Sequence, residues 1–259
     1  MKIFGDYHTH TIYSHGKGTV RENVERARAL GLREIAITDH GLNHIILGLK
    51  WWKVLKIVEE VKQLREEYKD IKILIGIESN IIGTRGRIDI KKEQFKVFDI
   101  ILCGFHKPAR PDRIRDFFGM YMRSYLAFIP RGKRCLERNT RAFIEAVKAN
   151  PIDVLTHINN SVKVNCGEIA KVCAEFGTYL ELSGRHQTFS DKDYKDILAT
   201  DVKLIVNSDA HSLENIGETY GIDELIAKYK IPLERIVNYG DNKPVFRSEK
   251  SIKGTINGI

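Results

Sequence analysis

Seven short apolar, β-branched runs, separated by segments of helical periodicity, leave this 259-residue chain few folds to choose from. The runs span residues 3–7, 34–38, 71–77, 99–103, 153–156, 178–182 and 203–206. Between them, residues 20–30 end at Gly31, which suits a helix C-terminus. Residues 51–68 keep Val54, Leu55, Ile57, Val58, Val61 and Leu64 on one stripe. Helical segments at 136–149, 169–176, 191–198 and 223–229 follow the later runs. Parallel strands need a crossover, and amphipathic helices supply it, so this alternation predicts an α/β fold with a parallel sheet. Seven units with no Ser/Gly/Pro-rich linker predict a closed barrel in a single domain over 1–259, with one insertion at about 110–134.

The ends of these runs carry the chemistry. The first runs into Asp6-Tyr7-His8-Thr9-His10, with His15 close behind, and the second ends Thr38-Asp39-His40. The third ends at Glu78, the fourth at Gly104-Phe105-His106, the fifth at Thr156-His157 and the seventh at Ser208-Asp209-Ala210-His211. In α/β barrels the carboxyl ends of the strands converge on one rim, so these nine residues are expected to meet there. A single histidine of this kind is more often structural; seven of the chain's nine at strand ends are not explained that way. Side chains alternate along an extended segment, so His8 and His10 face the same way and are able to share an ion. Glu78, with two oxygens, is the expected bridge between ions. Imidazole with a few carboxylates suits Zn, Mn or Fe better than Mg or Ca, and nine ligands exceed one tetrahedral site. Two to three divalent ions are therefore expected.

Composition narrows the setting. With 42% hydrophobic and 29% charged residues, the chain reads as an ordinary globular protein. Cys103, Cys135, Cys166 and Cys173 have no CxxC spacing and read as free thiols in a reducing compartment. No apolar run approaches the length of a membrane span, and no signal-peptide pattern opens the chain; a cytoplasmic location is expected. The net charge of +8 is concentrated: between His106 and Arg141 stand ten Lys and Arg against three Asp and Glu. A solvated basic surface and an anion-binding lid both account for such a run. Phe117, Phe118, Tyr121, Tyr125 and Phe128 interleave with its arginines, as packing residues or as a stacking surface for bases.

The run Asp6-Tyr7-His8-Thr9-His10-Thr11, then Ser14-His15-Gly16, then Ile37-Thr38-Asp39-His40-Gly41, resembles the opening of the PHP (polymerase and histidinol phosphatase) family. Glu78, Gly104-Phe105-His106, Thr156-His157 and Ser208-Asp209-Ala210-His211 fall where that family places its later motifs. The resemblance is to the stand-alone bacterial phosphatases, and no polymerase segment accompanies it. It implies a distorted (βα)7 TIM-like barrel and a three-metal site. Carried over by position, His8, His10, Glu78 and Asp209 would hold the first ion, Glu78, His106 and His157 the second, and His15, His40 and His211 the third. Two departures bear on substrate: His157-Ile158-Asn159-Asn160 replaces the family's common Pro-Gly after the fifth strand, and the basic insertion is long.

The expected chemistry is hydrolysis of a small phosphomonoester, such as histidinol phosphate or a nucleotide, by a metal-bound hydroxide. Glu78, Asp209 and His211 would be catalytic, and Arg185, His186 and Lys107 would meet the substrate. Asp39 is read equally as a ligand-orienting or a structural residue, and His44 is placed on an outer loop. The alternative is a phosphodiesterase or exonuclease acting on nucleic-acid ends, which the basic segment would serve. A metal amidohydrolase lacks its bridging lysine here, since Glu78 and His106 occupy the third and fourth strand ends. A metal-bearing regulatory module is a further alternative.

Overall fold

The computed structural model describes residues 2–107, 109–113, 116 and 132–246. Seven parallel strands form one sheet in chain order: β1 (Gly5–Asp6), β2 (Glu34–Ile37), β3 (Lys72–Asn80), β4 (Ile100–Gly104), β5 (Val154–Leu155), β6 (Tyr179–Ser183) and β7 (Leu204–Asn207). Six helices flank it among the described residues: α1 (Val20–Ala29), α2 (Trp51–Glu67), α3 (Lys133–Ala149), α4 (Cys166–Phe176), α5 (Asp191–Leu198) and α6 (Ile222–Tyr229). Repetition of strand and helix is broken once. Between β3 and β4 the chain makes an antiparallel bridge from Ile81 to Ile88 and a 3-10 turn at Lys92–Val97 in place of an α-helix. The barrel is the distorted seven-stranded type, and this helix-less crossover is one source of the distortion.

Closure is achieved outside the regular strands. Past the end of β1, Thr9 bridges Ala210 in parallel, with His10 N–H donating to Ala210 O (2.8 Å) and Ala210 N–H to His8 O (3.1 Å). At the opposite end the chain after α6 fills the seam. Asn238, fully buried, accepts from Val206 N–H (2.9 Å) and donates to Val206 O (2.7 Å) and Gly5 O (3.1 Å). One amide thus satisfies backbone groups of β1 and β7 that would otherwise lack partners, a buried deficit that proteins avoid.

Strand alternation sorts the core into two layers. Ile35, Ile37, Ile73, Ile75, Ile77, Ile101 and Cys103 face the helices and belong to the outer core. Ala36, Leu74, Ile100, Leu102, Val154 and Ile205 face inward and pack with Tyr7 and Phe246. Phe246 stoppers the barrel floor edge-on to Tyr7, with ring centroids 5.0 Å apart. Burying that ring contributes roughly 1.5–3 kcal/mol. On β3 the inward series continues from Leu74 through Gly76 to Glu78, so the period-two pattern that fills the floor also carries the carboxylate to the rim.

Helix ends are set locally. Thr19 caps α1, its hydroxyl accepting from Glu22 N–H while Glu22 accepts from Thr19 N–H, an arrangement that contributes about 1 kcal/mol. Gly177, at φ +66°, ends α4 in the left-handed conformation. All four cysteines are buried and free. Most of the basic segment expected as an insertion, including Phe117, Phe118, Tyr121, Tyr125 and Phe128, lies outside the described residues. No described helix is long and apolar enough to cross a membrane.

Candidate metal centre

The strand ends bring all nine predicted residues into one cluster built around a buried Glu78, with His15, His106 and His211 partly open to solvent. Its Oε1 lies 2.8 Å from His157 Nε2, 3.2 Å from His106 Nε2 and 3.4 Å from His8 Nε2. Its Oε2 lies 2.8 Å from His40 Nδ1 and 3.7 Å from His10 Nε2. Asp209 Oδ1 lies across the rim, 3.2 Å from His10 Nε2 and 3.5 Å from His8 Nε2 and from His211 Nδ1. His15 packs against His40 and His211, with ring centroids 4.8 and 4.1 Å apart. Close approach needs room: a Cβ at Gly104 would sit 2.6 Å from Thr156 Oγ1 and 3.0 Å from His157 Cε1.

Four overlapping groups bring their ligand atoms within 4.8 Å of one another: His10–His15–His40–His211, His8–His10–Glu78, His8–His157–Asp209 and His40–Glu78–His106. His10 therefore reaches the set expected for the third ion, and His157 also groups with His8 and Asp209. Both His106 and His157 meet the same oxygen of Glu78.

The donors fit divalent ions better than they fit each other. His8 Nε2, both ring nitrogens of His10, His40 Nδ1 and Glu78 Oε2 are buried with no hydrogen bond, although carboxylate oxygens lie within 4 Å. Buried polar atoms normally find partners, so atoms that gather without bonding one another converge on something else. Tautomers sharpen the point. Asn80 donates its amide N–H to Asp89 Oδ2 (2.6 Å), leaving its oxygen to accept from His106 Nδ1–H (2.6 Å). His106 Nε2 then carries a lone pair towards Glu78, which is stable only with a cation between them or a proton on the ring.

Protonation follows from these surroundings. Burial disfavours charge on His8 and His106, but Glu181, Asp209 and Glu78 outweigh it at His8, and Glu78 at His106, so both are pushed up. Burial also opposes charge on Glu78 and Asp209; the rings of His106, His8 and His40 around the first, and of His8 and His10 around the second, hold them well below the usual carboxylate range. Burial and neighbouring cations push His15 down to about 4 and His211 to about 3, and His40 falls as well. Neutral imidazole is the form that binds metal.

Other expectations meet the structure unevenly. Arg185 contacts His211 Nδ1 through Nη1 and lines a cavity of about 570 Å³ beside the cluster, with Lys17, Asp209, His211, Glu218 and Tyr220. His186 Nε2 lies 3.2 Å from Asp209 Oδ2. Lys107 is half-buried after His106 and is not among the described residues lining that cavity. Asp39 serves the turn before His15: it accepts from Thr11 N–H (2.7 Å), Thr11 Oγ1 (2.6 Å) and Ser14 Oγ. His44 corrects the sequence reading. It is buried and stacks on His40 at 5.0 Å, accepting from Leu47 N–H, because the turn after β2 folds back over the rim. Glu181 on β6 was missed, though an acid between Leu180 and Leu182 in an apolar run was a visible signal.

A model of the PHP domain matches residues 6–198. A protein named a probable phosphatase from Proteus mirabilis (strain HI4320) is 28% identical over 92% of this chain and 91% of its own length. Another of that description from Caldanaerobacter subterraneus is 26% identical over 94% of this chain and 90% of its own. Histidinol phosphate phosphatase from Lactococcus lactis, solved with zinc, L-histidinol and phosphate, superimposes with a TM-score of 0.57 at 17% identity, covering 92% of this chain and 97% of that one. With nine side chains able to hold metal gathered at one rim and a family model matching most of its length, this chain belongs to the PHP domain family.

Proposed function

We propose that the chain is a metal-dependent phosphatase that hydrolyses a small phosphomonoester. The observation that carries this reading is the convergence of His8, His10, His15, His40, Glu78, His106, His157, Asp209 and His211 beside a cavity walled by Arg185 and Lys17. His8, His10, Glu78 and Asp209 would hold one ion, Glu78, His106 and His157 a second, and His15, His40 and His211 a third. Bound Zn, Mn or Fe would supply Lewis acidity and a water acidic enough to attack near neutral pH.

The protein's own groups do the rest. Arg185 presents its guanidinium to the cavity and pairs with phosphate oxygens, a match of geometry as well as charge. Asp209 turns Oδ1 to His8 and His10 and Oδ2 to His186, so one carboxylate orders both the ligand set and a ring able to donate to the leaving oxygen. Glu78 holds five imidazoles in register from a single strand position. His211 stands where ligand cluster and phosphate pocket meet.

Metal content of the purified protein, paired with phosphate release from p-nitrophenyl phosphate, its bis-ester, histidinol phosphate, nucleoside monophosphates and a short oligonucleotide, tests this. Two to three ions per chain with chelator-sensitive release from monoesters is the expected result; metal without release from any ester overturns it. The second reading, action on nucleic-acid ends, draws on Arg85, Arg134, Arg138 and Arg141, which line a separate cavity of about 580 Å³. Steep salt dependence of oligonucleotide binding and preference for the bis-ester or oligonucleotide would favour it.

A further inference from the structure

Six strands end in predicted ligands and β6 does not, yet β6 places one carboxylate in the middle of the site. Glu181 is buried at 1% exposure and takes donors from three other strand ends. Its Oε1 accepts from His8 Nδ1 (2.8 Å) and Asn207 Nδ2 (3.0 Å), and its Oε2 from His157 N–H (2.9 Å). Asn207 is itself fixed, since its Oδ1 accepts from Tyr7 N–H (3.1 Å) and its amide nitrogen is thereby turned to Glu181.

Two consequences follow. A carboxylate only accepts, so Nδ1 keeps its proton, and in the neutral ring that metal needs the lone pair lies on Nε2. That Nε2 is the buried nitrogen without a hydrogen bond, facing Glu78 and Asp209 at 3.4 and 3.5 Å. His157 has φ +25°, a conformation that non-glycine residues rarely adopt. The bond from its N–H to Glu181 helps to hold the backbone there and so aims the ring at Glu78. With both oxygens engaged by these donors, Glu181 serves as a brace and not as a ligand.

We infer that Glu181 is a positioning residue for the metal centre: it sets the His8 tautomer and the His157 backbone, and so governs the ions those residues hold. Outer carboxylates of this kind orient ligating imidazoles and raise their basicity. The inference rests on the reading of the cluster as a metal site. It is also selective: Glu181 bonds His8, His157 and Asn207, whereas His15 and His211 group with His10 and His40.

The test is metal binding, not turnover. Glu181→Gln keeps the shape but puts an N–H donor where one of three donors needs an acceptor. Titration of metal-free wild type and variant with zinc, with bound metal counted by elemental analysis, should show two or three ions in the wild type. In the variant, the ions held through His8 and His157 should weaken by about 10–100-fold while the one at His15, His40 and His211 is retained. Unchanged affinity for every ion overturns the inference, as does equal weakening of all of them in a variant whose circular dichroism stays native. Wild type that binds no metal would instead overturn the metal-site reading on which it rests. Should Glu181→Gln not fold, nitrogen-15 spectra of histidine-labelled, zinc-loaded wild type decide: a proton on His8 Nδ1 with zinc at Nε2 is expected, and the reverse refutes it.

Discussion

Glu78→Gln should abolish most of the stability that the protein gains from metal. The carboxylate lies within 4 Å of His8, His10, His40, His106 and His157, and it belongs to two of the three ligand sets proposed above. An ion that binds only the folded chain stabilises it by about 2.7 kcal/mol when free metal is 100 times its dissociation constant. For a domain of this length each kcal/mol raises the melting temperature by roughly 2–4 °C, so two such ions raise it by roughly 10–20 °C. Glutamine keeps the volume of the side chain and one carbonyl oxygen but loses the charge that draws both ions together. Melting would be followed by circular dichroism at fixed free zinc, set by a metal buffer, and again in chelator. Comparing the two for each protein removes any cost of the substitution to the metal-free fold. Wild type should gain the full shift and the variant only what the ion at His15, His40 and His211 supplies. A variant with wild-type metal content and a shift within about 2 °C of wild type would refute Glu78 as the bridge.

Two further substitutions separate substrate binding from architecture. Arg185→Ala should lower kcat/KM for a phosphomonoester by about 10–100-fold, the loss of a charge-assisted hydrogen bond, with metal content unchanged; steady-state kinetics with a normal rate would remove Arg185 from the pocket's function. Asn238→Ala strips partners from Val206 N–H, Val206 O and Gly5 O at the barrel seam, and should cost about 3 kcal/mol in urea unfolding. A loss below about 1 kcal/mol would mean that the seam is held elsewhere.

Much of the site was legible because two regularities act together. Period-two alternation places every second residue of a strand inside, and parallel strands in a barrel end on one rim, so residues at comparable strand ends must meet. Glu78, His106 and His157 could be placed from sequence for that reason. His44 could not, because its position depends on how the turn after β2 folds back, which has no periodicity. Nor could Asn80 and Asp89, whose bonds fix the His106 tautomer across a helix-less crossover that has no periodicity of its own.

The sequence by itself determined the strand–helix order, the inward series on each strand and the identity of the nine side chains that meet at the rim. These depend on neighbours along the chain. Tertiary structure alone decided the pairing of Asn238 with both sides of the seam, the grouping of His10 with His15, His40 and His211, and the meeting of Glu181 with His8, His157 and Asn207. Each joins residues far apart in sequence through directional bonds a few ångströms long, and only closure of the barrel brings such groups within reach of one another.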